Sequence, residues 1–291
     1  MIWVLCTLFY GLAKGAREIC KKKALTKNGV FEVLFFHTLL SFLFVVPEVP
    51  NAFGLPGKMY FLIAVKSFVI FVAWICSFHA LSKIPVSVMG ILDLSRVIFA
   101  TLMGVFFLHE AMEINQVVGL ILVSLGLLIL PIPNIIAKKK EGTKAKAENL
   151  TPFFIFIAIL SCILNGVSST MDKYFMSTDM TTGQLQFWYM FFMVLYYGIY
   201  ILVKKIKLNW KSLFKNYWIW ILSVLFVVAD RVLFVANAHP DSKVTMMTLI
   251  KQSGCIVTII GGKFVFKEKN IMYKLLCAAI IIGGILVTVI W

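Results

Sequence analysis

The chain has 291 residues, of which 61% are hydrophobic and only 14% are charged, and its mean hydropathy is +0.94. A soluble domain is ordinarily about half apolar, so this composition excludes a soluble globular protein and is typical of a polytopic membrane protein. In a soluble protein the net charge of +15 would suggest a nucleic-acid partner, but here most lysines fall in short loops between apolar segments. There they set membrane orientation and meet anionic lipid head groups, so we expect membrane lipids and no nucleic acid as partners.

The chain shows no pattern of a disulfide framework, a metal centre or a removable leader. Its six cysteines are scattered through apolar segments without a CxxC spacing, so we interpret them as small buried side chains. The first basic residue, Lys14, follows the first apolar run, whereas a secretory signal carries its positive charges in front. We therefore expect no metal and no cofactor.

Ten apolar segments approach the length of about 20 residues that a membrane-spanning helix needs. In chain order they are 2–22, 30–47, 60–81, 84–108, 114–133, 152–175, 182–203, 216–238, 243–266 and 271–290. Turn-forming or polar stretches such as "PEVPNAFGLPGK" and "HPDSK" separate most of them. The sequence therefore predicts an all-α integral membrane protein with ten transmembrane helices.

A long polar stretch, "NIIAKKKEGTKAKAEN" at 134–149, divides the chain into two halves of five predicted helices each. We assign residues 1–133 and 152–291 to two repeats, and residues 134–151 to a basic linker. A shift of 158 positions aligns Ser95 with Ser253, Gly104 with Gly262, Phe106 with Phe264, Glu110 with Glu268 and Gly126 with Gly284, and Gly11 and Gly166 take similar places near the start of each half. Since five is odd, the halves must cross the membrane in opposite senses, as in the inverted repeats of many secondary transporters, whose substrates bind near the midplane.

The loop lysines predict the orientation. The odd-numbered loops carry 18 lysines, among which we count Lys21, Lys22 and Lys274, whereas the even-numbered loops carry only Lys58 and Lys243. By the positive-inside rule the odd-numbered loops are cytoplasmic and both termini face outward. We expect a multi-pass protein of the plasma membrane.

Ionisable side chains inside the predicted spans point to function. A charge at the centre of a membrane helix costs about 2.5–3.5 kcal/mol, so such residues usually face a protein interior or a watery cavity. Apart from Lys173 and Lys263, which lie near helix ends, six bases stand against four acids: Lys14, Arg17, Lys66, Arg96, Arg231 and Lys251 against Glu18, Asp93, Asp172 and Asp230. The excess of bases favours an anionic ligand such as a carboxylate or a phosphate.

Part of this charge can pair internally. The spacing of i, i+3, i+4 and i+7 places one charged stripe on the first helix, formed by Lys14, Arg17, Glu18 and Lys21. Glu18 can therefore neutralise Arg17 or a lysine. Asp93 can bond Arg96, which lies one turn away in the fourth helix.

Four further ionisable residues allow two interpretations each. Asp230 and Arg231 are adjacent, so they either pair as a structural ion pair or point to different partners. His37 and His79 lie within predicted helices, where a histidine relays protons, binds substrate or satisfies a helix contact. We group all four as candidates for coupling or charge pairing.

The aromatic and glycine patterns are less specific. Most of the 42 aromatic residues are expected to face lipid or form interfacial belts, while Trp74, Trp188 and Tyr189 are candidates for lining a cavity. Gly11 and Gly15 form a GxxxG pattern, which lets the first helix approach a neighbour closely.

Several of these features occur together in "HALSKIPVSVMGILDLSRVIFATLMGVFFLHEAMEINQVVGLILVSLGLLIL" at 79–130. An Ala-Leu pair precedes small residues that open the fourth helix, Glu110 closes it, and glycines mark the fifth, while "YGLAKG" from Tyr10 opens the chain. This order resembles the EamA-type members of the drug/metabolite transporter superfamily. The resemblance covers nearly the whole chain and implies a transporter with two five-helix repeats.

The chain departs from that family at the charged positions. The family commonly has a proline where Arg96 stands and apolar residues where Lys14 and Arg17 stand. The resemblance also implies cytoplasmic termini for many ten-helix members, against the loop lysines, and we keep the orientation that the charges give. Members of this type export amino acids and other metabolites, and related branches carry nucleotide sugars or sugar phosphates.

We therefore predict a secondary transporter that moves a small organic anion, such as a phosphorylated metabolite, by alternating access. Arg96 and Lys251 are the expected midplane ligands, and Lys14, Arg17 and Lys66 complete the substrate site with the three aromatic candidates. Asp93 orients Arg96 or accepts a coupling proton, and Glu18 belongs to the pairing group.

Other functions remain open at the level of sequence. The same fold could carry an amino acid, an amphipathic cation or a phospholipid. An integral membrane enzyme is disfavoured because the chain has no HExxH, no phosphate-cradling glycine loop and no clustered His/Asp set in a sizeable loop. A structural or sensory membrane subunit would not need charged midplane residues.

Overall fold

The structure, a computed structural model, is helical in the parts of the chain that it describes. Those parts are residues 2–96, 99, 114–129, 152–178, 180–239, 242, 247, 250–268 and 270–290. Three predicted features lie outside the described residues: the repeat positions Gly104 and Phe106, the glutamate Glu110, and the linker at 134–151.

Each of the ten predicted segments contains one described helix. They are α1 (Ile2–Ala24), α2 (Val30–Val45), α3 (Gly57–Lys83), α4 (Val86–Asp93), α5 (Ile114–Ile129), α6 (Pro152–Met176), α7 (Thr182–Val203), α8 (Tyr217–Ala238), α9 (Ser253–Phe266) and α10 (Ile271–Ile290). A 3-10 helix at Val46–Asn51 follows α2, and a short helix at Trp210–Lys215 precedes α8.

Four of the described helices, α3, α6, α7 and α8, are long and apolar enough to cross a bilayer. The apolar helices α2, α9 and α10 are shorter within the described residues. The protein is therefore a helical, multi-pass membrane protein, while the number of ten crossings stays a prediction.

Two segments that we predicted as continuous helices are interrupted. In the fourth, α4 ends at Asp93, and Leu94 and Ser95 form a turn before helical backbone resumes at Arg96. In the ninth, Gln252 forms a turn immediately before α9. Irregular backbone at membrane depth is tolerated where it is buried in protein or lines a cavity, which the hydropathy pattern cannot show. The predicted shift of 158 positions places Leu94 on Gln252, so the two interruptions coincide under that shift.

Most contacts between the described helices have a counterpart when each helix of α1–α5 is exchanged with the fifth helix after it. The contact of α1 with α8 corresponds to that of α6 with α3, and the contact of α1 with α9 corresponds to that of α6 with α4. In the same way, α2 with α8 corresponds to α7 with α3, α1 with α3 to α6 with α8, and α2 with α3 to α7 with α8. The contacts α2–α7, α4–α9 and α5–α10 each map onto themselves. The first helix of each half thus packs mainly against helices of the other half.

A carboxylate from the second half caps the start of α4. This helix follows Pro85 and has no capping side chain of its own. Glu268, in the loop after α9, accepts hydrogen bonds from the backbone N–H of Val86 at 2.8 Å and from the hydroxyl of Ser87. Lys274 Nζ lies 3.3 Å from the same carboxylate. Since the first N–H groups of a helix lack partners within it, Glu268 satisfies them and complements the helix dipole.

Glycines bring α1 and α9 into close contact. A methyl group added at Gly15 would lie 2.5 Å from the carbonyl oxygen of Gly254, and one added at Gly254 would lie 2.5 Å from that of Gly11. These distances are far below van der Waals contact, so only glycine fits at this crossing. The prediction that the GxxxG pattern permits a close helix approach is confirmed.

Gly15→Ala is expected to lower the free energy of unfolding by about 1–3 kcal/mol, because two backbones must move apart to accept the methyl group. Gly166→Ala is the matched control: Gly166 lies in α6, and nothing is within 4 Å of its added methyl group. Alanine also favours the helix over glycine. Thermal unfolding in detergent compares the two variants, and equal melting temperatures for Gly15→Ala and the wild type would contradict the packing role.

Candidate functional site

A cavity of about 150 Å³ lies among α1, α3, α6 and α8, beside the interruptions of the fourth and ninth segments. A cavity of this size is known to hold a molecule as large as benzene. A smaller cleft of about 20 Å³ adjoins it and is lined by Lys14, Gly90, Asp93, Arg96 and Gly254 among others. The two spaces together form the candidate site.

The charged stripe of α1 faces the cavity. Its lining residues on this helix are Tyr10, Lys14, Arg17, Glu18 and Lys21. Lys21 Nζ lies 2.6 Å from Glu18 Oε1 and above the ring of Phe78, so it is a buried cavity residue and not the loop lysine that we counted. The predicted stripe is confirmed because the 3.6-residue period of a helix fixes which side chains share a face.

Arg17 pairs across the two halves of the chain. Its Nη1 donates to Asp230 Oδ1 at 2.9 Å, and its guanidinium lies 5.2 Å from the ring centre of Tyr10 and 5.1 Å from that of Phe226. Arg17 is 8% exposed. Asp230 therefore does not pair with its neighbour Arg231, whose Nε donates to the Gln186 side chain at 2.6 Å.

A second ion pair also joins the halves. Lys66 in α3 is 2% exposed, and its Nζ lies 3.1 Å from Asp172 Oδ1 in α6. The contact is an ion pair without hydrogen-bond alignment. The ammonium also lies 3.7 Å from the ring centre of Tyr189, so a cation–π interaction supplements the carboxylate.

Asp93 is shared by two bases. Lys14 Nζ donates to its Oδ2, and Arg96 Nε lies 2.5 Å from its Oδ1, without hydrogen-bond alignment. The predicted pair of Asp93 with Arg96 is confirmed, and Lys14 is a partner that the sequence did not indicate. One carboxylate thus neutralises only one of two positive charges.

Lys251 lies at the cavity without a carboxylate partner. No acidic side chain of the described residues lies within 4 Å of its Nζ, which instead sits 5.7 Å from the ring centre of Tyr10. Lys251 precedes the turn at Gln252, which also lines the cavity. An ammonium in this position is available to a ligand.

The sum of charges around the two spaces is positive. Six cations, Lys14, Arg17, Lys21, Lys66, Arg96 and Lys251, face four carboxylates, Glu18, Asp93, Asp172 and Asp230. Two positive charges are therefore unbalanced among the described residues. Lys251 accounts for one of them, and the doubly used Asp93 accounts for the other.

The histidines differ in position. His37 is 2% exposed and lines the cavity. Its Nδ1 is hydrogen-bonded to Ser223 Oγ at 2.9 Å, and its ring stacks on that of Trp74 with 5.6 Å between the ring centres. His79 lies elsewhere, with its Nδ1 hydrogen-bonded to the carbonyl oxygen of Ile75. Only His37 is placed to meet a ligand in this cavity.

The aromatic candidates also separate. Trp74 and Tyr189 line the cavity. Trp188 does not line it: its Nε1 donates to the carbonyl oxygen of Ala52 at 2.8 Å, and its ring packs against Tyr60 in the region between α2 and α3. Trp188 thus joins α7 to that connection.

Sequence reasoning left out several lining residues. They are Tyr10, Ser77, Asn165, Ser168, Ser169, Thr170 and Gln252, and Asp172 was recognised as an intramembrane acid without being assigned to the site. The spacing of Asn165, Ser168, Ser169 and Asp172 is the same i, i+3, i+4, i+7 pattern as on α1. Applied to polar as well as charged residues, this period would have indicated the second stripe.

The comparisons with known proteins agree with a transporter architecture. Residues 1–131 match the EamA-like transporter family. One solved crystal structure shares 12% identity with the chain at a TM-score of 0.66, over 99% of this chain and 96% of the other, and this similarity concerns the fold alone. No curated protein matches the sequence significantly.

Arg17→Gln and Asp230→Asn are each expected to destabilise the protein by about 3–5 kcal/mol, because each leaves a buried charge without its partner. The double variant is expected to be less destabilised than the sum of the two. Thermal unfolding in detergent gives the coupling. The same cycle with Arg231→Gln in place of Arg17→Gln is the control and should show a smaller coupling, since Arg231 bonds Gln186.

Proposed function

We propose that this chain, whose residues 1–131 match the EamA-like transporter family, belongs to that family and carries a small organic anion by alternating access. The family match supports a membrane transporter for a small molecule over an enzyme. The charge of the substrate, the transport mechanism and the roles of individual residues are parts of the proposal.

The position of Lys251 supports an anion most directly. This ammonium faces a cavity that is lined by helices, and no described carboxylate lies within 4 Å of it. Arg96 adds a guanidinium that shares Asp93 with Lys14, so its outer nitrogens are available as well. A carboxylate or phosphate would balance both charges and accept hydrogen bonds from both groups.

The helix contacts and the two interruptions support an inverted repeat. Most contacts made by α1–α5 have a counterpart made by α6–α10, and the turns at Leu94–Ser95 and Gln252 coincide after the shift of 158 positions. We therefore assign residues 1–133 and 152–291 to two repeats that are joined by residues 134–151. Such repeats place the substrate between them, which is where the cavity lies.

Packing suggests which helices move together. α1 packs against α8 and α9, and α6 packs against α3 and α4, so each half lends its first helix to the other. The ion pairs Arg17–Asp230 and Lys66–Asp172 lie within these two groups. The pair Lys14–Asp93 joins one group to the other, and the groups are proposed to rock about the cavity with this contact rearranging.

Asp93 is assigned to orienting Arg96. It contacts two bases, and protonation would leave both without their counter-charge. His37 lines the cavity and stays a candidate for a coupling proton. Trp188, His79 and Arg231 lie away from the cavity lining, so their proposed roles in this mechanism are structural.

Anion uptake by proteoliposomes tests the proposal. Carboxylates and phosphate esters are compared with neutral sugars, amino acids, organic cations and a labelled phospholipid, with and without a proton gradient. Arg96→Ala and Lys251→Met are each expected to reduce anion uptake about tenfold or more, the effect of losing a charge-assisted hydrogen bond. Arg96→Ala should still fold because Asp93 keeps Lys14 as a partner.

Lys263→Met is the matched control, since this exposed lysine lies in α9, in the same predicted segment as Lys251 but on its outer surface. It should transport like the wild type. Anion uptake that survives both Arg96→Ala and Lys251→Met would contradict the site, and transport of cations or phospholipid without anions would assign another cargo.

The proposed orientation has its own test. Cysteines introduced at Lys58, in the first turn of α3, and at Lys205, after α7, should lie on opposite sides of the membrane. A membrane-impermeant maleimide added to intact cells is expected to label Lys58→Cys and not Lys205→Cys, with the wild type as the control for native cysteines. The reverse labelling would place the termini inside.

A further inference from the structure

We infer that the acidic group of the substrate binds between Lys251 and the polar face of α6 at Ser169, where the second repeat lacks the counter-charge that the first repeat has. This inference rests on the proposed anion transport and adds the position of the acidic group and the kind of molecule that carries it.

The register of the two repeats identifies corresponding residues. The correspondence of Gly11 with Gly166 places Arg17 on Asp172. The shift of 158 positions places Asp93 on Lys251, and the coinciding helix interruptions support this register. All four of these residues lie at the cavity or its adjoining cleft.

Each corresponding pair has opposite charge. Arg17 in α1 is a base that finds an acid on α8, whereas Asp172 in α6 is an acid that finds a base on α3. Asp93 is an acid, and Lys251 is a base. At these positions the second repeat therefore carries charges opposite to those of the first. Since Asp93 in the first repeat has a basic partner, Lys251 in the second repeat is expected to have an acidic partner.

Lys251 lacks that partner. Asp93 is neutralised by Lys14 and Arg96. The correspondence of Gly11 with Gly166 places Lys14 on Ser169, and the shift of 158 positions places Arg96 on Gly254. Neither counterpart carries a negative charge. Gly254 can accept no side chain at all, because a methyl group there would lie 2.5 Å from the carbonyl oxygen of Gly11. Ser169 is thus the position at which the missing acid would stand, and it lines the cavity.

The α6 face around Ser169 also offers hydrogen-bond donors. Ser168 and Ser169 line the cavity, and neither hydroxyl has a hydrogen-bond partner among the described residues. A serine in a helix usually bonds a carbonyl of its own preceding turn, as Thr170 does with Gly166. Hydroxyls without such a bond can donate to a carboxylate or phosphate oxygen and to hydroxyls beside it.

The substrate class follows from these two features. One acidic group would balance Lys251, and polar groups next to it would meet the serine hydroxyls. The site is therefore suited to a hydrophilic acid such as a hydroxy acid or a phosphate ester of a polyol. An amphipathic anion would leave the hydroxyls of α6 unsatisfied.

Ser169→Asp tests this placement by supplying the missing carboxylate from the protein. The variant is expected to fold and to show a raised melting temperature, because Lys251 gains a partner. Its uptake of gluconate and of glycerol phosphate in proteoliposomes should fall about tenfold or more, and neither ligand should raise its melting temperature further. Ser169→Asn, similar in size but uncharged, removes the same hydroxyl without adding a charge, so it should lose less uptake than Ser169→Asp and should not raise the melting temperature. Loss with gluconate alone or with glycerol phosphate alone identifies a carboxylate or a phosphate as the recognised group.

Wild-type uptake separates the possible failures. If the wild type carries no anion, the proposed function is wrong. If the wild type carries these anions and Ser169→Asp carries them equally well, the function stands and this placement is wrong. If Ser169→Asp does not accumulate, Ser169→Cys is modified in the folded protein with an anionic or a neutral methanethiosulfonate, with the equally treated wild type as reference. Inhibition by the anionic reagent alone supports the placement, and equal effects of both reagents overturn it.

Discussion

A charge inside a membrane protein is stable only beside an opposite charge, a dipole or water, and this constraint organises the centre of the molecule. The carboxylates at the cavity each contact a base, and the helices that bring them together are far apart in sequence: α1 with α8, and α3 with α6. Because breaking either pair would leave a bare charge, these contacts fix how each half lends its first helix to the other. Lys251 is the exception among the cavity bases of the described residues, which is why the proposed function assigns a ligand to it.

The glycine crossing of α1 and α9 makes this arrangement possible. Gly11, Gly15 and Gly254 allow the two backbones to touch, so the charged stripe of α1 is held against the turn at Gln252 and the adjacent Lys251. On the other side of the site, Glu268 from the second half caps α4 and holds the helix that ends at Asp93. The close backbone contact at these glycines holds Lys251 at the cavity, and the cap from Glu268 holds Asp93 there. The two charges therefore lie around one space.

Features that depend on local periodicity were predictable from the sequence, and features that depend on distant partners were not. The helical segments, the charged stripe of α1 and the pair of Asp93 with Arg96 follow from spacing within one helix. The partner of Asp230 does not, since sequence offers the adjacent Arg231 while the folded chain supplies Arg17. Hydropathy likewise could not reveal the interruptions at Leu94–Ser95 and Gln252, because a turn buried beside a cavity is as apolar as a helix. Lys21, Lys22 and Lys274 were read as loop charges, yet Lys21 and Lys274 are buried in ion pairs and Lys22 donates to the carbonyl oxygens of Leu81 and Ile84.

Charge reversal between the two proposed repeats would give a structural reason for the proposed alternating access to involve one substrate charge. In the first proposed repeat the protein itself joins the two helix groups, through Lys14 and Asp93. In the second, the corresponding positions are Ser169 on α6 and the base Lys251, which both line the cavity, and neither of them supplies an acid. A bound anion would supply one and make the two interfaces electrically similar. Rocking of the groups with the site empty would instead carry an unbalanced charge through the low-dielectric centre, which is costly. The same residues that bind the substrate would thus favour movement with the substrate bound.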